Sequence, residues 1–209
     1  MQNRSLQRII TRSSVYFDIT FFAKLIFLFL AFYFFNIFFL GITTADGRFY
    51  SPFLEHNLNY ISWLTSSILY VANAIDHLLG VNSFVQNAYN IKTYSGASVT
   101  VWLPCLGLGV MSFWIAFVLA DIKPWKKKLY WILTGIVAIW FINCLRIALL
   151  LLALEKNWYQ STYIDHHTIF NIATYIIILF MIWLYLQKSK KGIKSDLALN
   201  HNSLSSVIY

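Results

Sequence analysis

Charge is scarce in this 209-residue chain. Only 11% of its residues are Asp, Glu, Lys or Arg, against roughly 25% in soluble domains. A surface exposed to water over the whole molecule is therefore excluded. Cysteine is nearly absent as well. Two residues, Cys105 and Cys144, are too few for a disulfide framework and lack metal-ligand spacing. Three prolines leave long stretches free to continue as helix. Acidic residues number eight against sixteen basic ones, yet no contiguous basic face of the kind that holds nucleic acid is present. What remains is 59% hydrophobic and 19% aromatic, the composition of an integral membrane protein.

Positive charge is sorted along the chain. Twelve of the sixteen basic residues fall in three clusters: Arg4, Arg8, Arg12 and Lys24; Lys123, Lys126, Lys127 and Lys128; and Lys188, Lys190, Lys191 and Lys194. Such clusters mark the cytoplasmic side of membrane spans. Four runs have the length and apolarity to cross a bilayer at 1.5 Å per residue: 21–42, 104–120, 129–154 and 168–186. The first, at about 22 residues, exceeds a signal-peptide core of roughly 7–15 and is read as a retained span. A fifth run, 59–79, places Ile61, Leu64, Ile68, Ala72, Ile75 and Leu79 at helical spacing among polar residues. With the basic clusters inside, residues 43–103 all lie on the outer side, and 59–79 crosses an even number of times. The simplest even number is zero, an amphipathic helix in the interface; a short helical hairpin is the alternative.

The expected fold is thus an all-α polytopic membrane protein. It has about four transmembrane helices, an outer interfacial helix and a short β-like loop before residue 104. Residues 1–20 form a basic cytoplasmic N-terminus, 21–187 a single transmembrane domain, and 188–209 a cytoplasmic disordered tail.

Three places carry chemistry. In VWLPCLGLG, residues 101–109, Pro104 suits the first position of a helix, which would put Cys105 in the first turn. Unpaired backbone N–H groups there favour a thiolate. Gly107 and Gly109 leave backbone open to close approach. On this stretch alone, packing is the favoured reading. In FINCLRIALLLLAL, Arg146 sits inside an apolar run, where a charge costs about 2.5–3.5 kcal/mol. Asn143, three residues earlier, shares its helical face; snorkelling of Arg146 to the interface is the alternative. Cys144 lies about 200° around the helix from Arg146 and reads as packing. In YIDHHTIFN, residues 163–171, His166 and His167 open the last run, with Asp165 or Thr168 as N-cap. His56 and His77 read as surface residues, and no metal motif or cofactor is expected. The topology derived from lysines brings Cys105, Arg146 and His166/His167 to the outer ends of three different spans. Thiol, guanidinium and imidazole together suit acyl transfer.

Cysteine opening one span (LPCLGLGVMSFW), N-x-x-R in the next (Asn143 to Arg146) and histidine opening the following one (DHHTIFN) resemble the exosortase/archaeosortase family. The amphipathic helix ending in Leu-Gly and the β-like approach to the cysteine, 60–80 and 81–103, are similar too. The resemblance implies a membrane-embedded cysteine transpeptidase or protease with Cys105 as nucleophile, Arg146 as substrate-orienting or transition-state arginine, and His167 as general base and acid. His166 and Asn143 would be alternate or supporting residues. It implies substrates that are exported proteins with a C-terminal sorting signal, an envelope lipid or glycan acceptor, and surrounding membrane lipids. Its place would be the inner (cytoplasmic) membrane, with both termini cytoplasmic and the site facing the extracytoplasmic side. Leu106 stands where the family usually has a small residue, and Asn171 where it has glycine. From another class, the competing reading is a non-enzymatic assembly or transport subunit whose Arg146 pairs with a partner helix.

Overall fold

The computed structural model describes residues 2–44, 49–156, 172 and 174–187, with side chains from residue 19 onward. The chain divides into two units, Met1–Thr162 and Tyr163–Tyr209. In the second unit the described element is a helix, Thr174–Gln187 (α6).

The first unit opens with α1, Gln2–Thr43, a 42-residue helix containing neither proline nor, before Gly41, glycine. Its last turn closes on its own hydroxyls: Thr43 Oγ1 donates to Phe39 O at 3.0 Å and Thr44 Oγ1 to Leu40 O at 2.8 Å. The chain then turns back, and Ser51 N donates to Ile42 O at 2.9 Å. A short helix follows, α2 (Pro52–Leu58), with Pro52 in the first turn. Proline's missing N–H costs nothing there.

Helix α3, Tyr60–Leu78, begins at Asn59, whose side-chain oxygen accepts from Ser62 N at 3.0 Å. It ends in a left-handed glycine, Gly80, at φ +79°. Gly80 N donates to His77 O at 3.1 Å and Val81 N to Asp76 O at 2.9 Å. This paired closure satisfies carbonyls that a helix end leaves open. The helix is continuous, so the hairpin alternative does not hold. Its buried stripe is Ile61, Thr65, Ile68, Leu69, Ala72 and Asp76, rotated from the face expected from apolar residues alone. Leu79, expected on that face, is exposed. Polar partners explain the rotation: Thr65 Oγ1 donates to Ile61 O at 2.7 Å, and Asp76 Oδ2 faces Ser83 Oγ at 3.4 Å. The stripe packs on protein rather than lying open to an interface, since α3 contacts α5 and the sheet.

Residues 83–100 form a three-stranded antiparallel meander: β1 (Ser83–Asn87), β2 (Asn90–Thr93) and β3 (Ser98–Thr100). Ile91 pairs with Val99 across the β2–β3 ladder, and both are buried. Alternation puts Ile91 and Thr93 on the covered face of β2. Two tethers hold the sheet. Ser83 Oγ donates to Asn73 Oδ1 on α3 at 2.7 Å, and Thr93 Oγ1 to Glu155 Oε2 at 2.8 Å. Ser95 Oγ donates to the same carboxylate.

After β3 comes a 3-10 turn, Leu103–Leu106, then α4 (Leu108–Ala120) and the 31-residue α5 (Trp125–Glu155). The helix expected to start at Pro104 therefore starts at Leu108. Gly107, at φ +71°, breaks it, because a left-handed residue cannot continue a right-handed helix. Trp114 locks α4 to α5. It is fully buried, and its indole N–H donates to Trp131 O at 3.0 Å. Lys128 reaches back to Leu119 O at 2.9 Å, a cation on the last turn of α4. On the other side, Asn36 of α1 donates to Ser112 Oγ of α4 at 3.0 Å and accepts from Tyr60 of α3 at 2.6 Å.

Two helical segments are long and apolar enough to cross a membrane, Ile19–Thr43 in α1 and Trp125–Glu155. The segments α4 and α6 are apolar but shorter.

Candidate active site

Cys105 lies in the 3-10 turn, two residues before the glycine that breaks the chain direction. Its thiol is buried and free, and its amide donates to Trp102 O at 2.8 Å. Proline stands near the start of this turn for a local reason. Trp102, the residue before the turn, is extended (φ −97°, ψ 163°), and Pro104 fixes φ where the turn needs it. The first turn of α4 itself belongs to Leu108 and the residues after it. The N–H groups expected around Cys105 are instead those of the residues that follow Gly107.

Helix α5 meets this turn through Asn143. Its side-chain amide donates to Leu106 O at 3.2 Å, and both residues are buried. A Cβ built on Gly107 would stand 2.3 Å from Asn143 Nδ2 and 3.3 Å from Ile139 Cγ2. The turn thus sits on the polar step of α5 with no room for a side chain at residue 107. Arg146, one helical turn beyond Asn143 on the same face, is also buried. A guanidinium at 7% exposure is held inside protein rather than snorkelling to a surface. Cys144 is fully buried and free, and no Cys105–Cys144 disulfide forms.

His166 and His167, with the rest of YIDHHTIFN up to Asn171, lie outside the described residues. His56 and His77 are exposed. Among the described residues no group of three or more His, Cys, Asp or Glu is placed to hold a metal ion.

Beside the cysteine turn lies a cavity of about 610 Å3, within the roughly 300–1,000 Å3 of ligand sites. Leu103 and Leu106, which bracket Pro104 and Cys105, form part of its wall. Residues from the C-terminal end of α1, from α2 and α3, and from the sheet complete it. Sequence reading missed this feature because its lining comes from residues 40 to 106, and each is unremarkable alone. Glu55 in this wall accepts from Tyr50 Oη, a bond that holds the phenol above its ordinary range. At the far end of α3, burial pushes the Asp76 carboxyl up to about 7, with the Ser83 hydroxyl acting in the opposite sense.

No curated protein and no solved structure matches the chain. The family model described as transmembrane exosortase does match, over residues 17–184. That interval takes in α1 from residue 17 onward, α2 to α5, the cysteine turn, the Asn143–Arg146 face and the 163–171 segment. By this match over most of its length, the chain belongs to the transmembrane exosortase family.

Proposed function

We propose that the protein is a membrane-embedded sorting transpeptidase that uses Cys105 as nucleophile, His167 as base and acid, and Arg146 as electrostatic anchor. It acts on exported proteins that end in a sorting signal, an apolar helix and a basic tail. The thiolate attacks the carbonyl carbon of the scissile peptide, after its proton has passed to His167. Arg146 stabilises the oxyanion or holds a substrate carboxylate. The C–N bond breaks as the imidazolium returns a proton to the leaving amine, and a thioester on Cys105 remains. A nucleophile from an envelope lipid or glycan then loses its proton to the same imidazole, attacks the thioester and frees the thiol. Water in that position would give hydrolysis.

The observation that carries this reading is the Asn143–Leu106 hydrogen bond. It ties the Asn-x-x-Arg face of α5 to the backbone of the cysteine turn, in a chain of the exosortase family. The two membrane-length helices, the apolar character of α4 and α6 and the lysine clusters support a single membrane domain over 21–187 in the inner membrane. It has four crossings, α3 and the sheet outside, and both termini, including the 188–209 tail, in the cytoplasm.

Cys105→Ala and Cys105→Ser, co-expressed with a tail-anchored substrate, test the reading by the size of the mature product on a gel. Both variants are expected to leave the precursor uncut. Normal processing by both would refute the nucleophile and favour a non-enzymatic assembly or transport subunit.

A further inference from the structure

The cavity beside Cys105 has a chemical character that the reaction above does not use. Leu103 and Leu106 carry its wall up to the cysteine turn, so a peptide held at Cys105 extends its neighbouring residues into it. Two of its amides have their carbonyl oxygens engaged. Asn59 Oδ1 accepts from Ser62 N at 3.0 Å and Asn87 Oδ1 from Tyr89 N at 2.9 Å. Their NH2 groups are left as donors. A third, Asn90, has the opposite surplus, a buried Oδ1 with no hydrogen-bond partner. A buried acceptor without a donor is costly, and an N–H supplied by a ligand relieves it. Donors and an acceptor lining one cavity match the alternating N–H and C=O groups of an extended peptide.

Charge narrows the choice further. Among the described residues that line the cavity, Glu55 is the one charged side chain. A carboxylate beside an otherwise neutral cavity attracts a basic side chain and repels an acidic one, and juxtaposed like charges are strongly disfavoured.

From these observations, and resting on the transpeptidase reading, we propose that the cavity is the specificity subsite for peptide residues flanking the scissile bond. It takes neutral or basic side chains and discriminates against acidic ones, with Glu55 setting the sign and Asn90 receiving a peptide N–H.

The test uses the full-length protein in cells and an exported reporter ending in eight randomised residues, an apolar helix and a basic tail. Cleaved members are recovered and sequenced. For the wild type, at one or more of the eight positions, Lys and Arg are expected to be enriched over Asp and Glu by about tenfold. Glu55→Lys should invert that preference at the same positions, and Glu55→Gln should erase it. Asn90→Leu should slow cleavage across the library without altering the charge preference. Immunoblots of membrane fractions identify any variant that fails to accumulate. For such a variant, a photocrosslinking residue at Tyr89 in the Cys105→Ala background replaces it. Capture of Lys-bearing over Glu-bearing reporters is then expected, and equal capture counts against the subsite. Cleavage that depends on Cys105 but shows no charge preference, or one that Glu55→Lys leaves unchanged, overturns the subsite and leaves the nucleophile standing. Cleavage that is the same in Cys105→Ala overturns both.

Discussion

Gly107 and Asn143 are in a contact that no side chain at residue 107 could share: a Cβ there would lie 2.3 Å from the Asn143 amide nitrogen. The same glycine adopts φ +71°. Two independent requirements, one of torsion and one of space, therefore meet at the residue two beyond the cysteine.

This contact predicts an order among glycine substitutions. Gly80→Ala meets only the strain of a left-handed residue, since nothing lies within 4 Å; it should cost about 1 kcal/mol. Gly107→Ala adds displacement of Asn143 and should cost more, roughly 2–4 kcal/mol in sum. Gly109→Ala is helical, with Tyr33 as its nearest neighbour at 3.9 Å, and should be neutral or stabilising by up to about 1 kcal/mol. Thermal unfolding of the three variants in detergent measures the order, and a Gly109→Ala loss as large as that of Gly107→Ala would count against it.

A second prediction concerns the α4–α5 contact. A Cβ on Gly135 would stand 1.8 Å from Trp114 Nε1, and the indole is fully buried. Gly135→Ala should push the indole off Trp131 O and lower stability by about 2–4 kcal/mol. Trp114→Phe, which drops the donor and puts a smaller phenyl ring in a fully buried site, should also destabilise. Intrinsic fluorescence and protease resistance in micelles report both.

Asp76 predicts a pH dependence. Its folded-state pKa, about 7, lies above the ordinary 3.8 because the carboxyl is buried. Between those values the unfolded chain has lost the proton and the folded chain still holds it. Stability therefore falls as pH rises from about 4 to about 7, and levels off beyond. Asp76→Asn should flatten this slope and exceed the wild type in melting temperature at pH 8. A wild-type melting temperature that rises over the same interval, with Asp76→Asn lying below it at pH 8, would contradict the assignment.

On the proposed mechanism, the two histidines separate. His167→Ala should reduce processing about 10²–10⁴-fold, and His166→Ala should retain most of it. Arg146→Lys keeps the charge but loses the forked donors, and a drop of roughly 10²–10³-fold is expected. Cys144→Ala, a substitution at a packed site, should process substrate normally. Single-turnover assays in membrane vesicles, normalised to protein level, distinguish these outcomes.

Much of this architecture could be read from residue patterns. The long apolar runs at 21–42 and 129–154 appear as membrane-length segments of α1 and α5 because length and composition alone decide such helices. The expectation that Arg146 and Asn143 share one helical face agrees with the burial of both, since two polar residues three apart leave few other places to go. The start of α4 was not legible. Pro104 is a good opening residue for either a 3-10 turn or an α-helix, and only the packing of Gly107 on Asn143 selects the break. The burial of Thr65 and Asp76 in α3 was hidden for a similar reason. Each is paired by a hydroxyl of the following strand or by its own helix backbone, and hydropathy assigns no weight to such partners. The cavity wall, collected from five elements, has no periodicity to detect.

The hydrogen bond from Trp114 to Trp131 has a consequence for how the chain enters the bilayer. With 13 residues, α4 extends only about 20 Å, short of a hydrocarbon core of about 30 Å. Alone in lipid it would also carry an indole donor with nothing to receive it. α5 supplies the acceptor that the indole needs, and the two helices are separated by only four residues. On the proposed four-span topology, the pair is suited to entering the bilayer together as one helical hairpin.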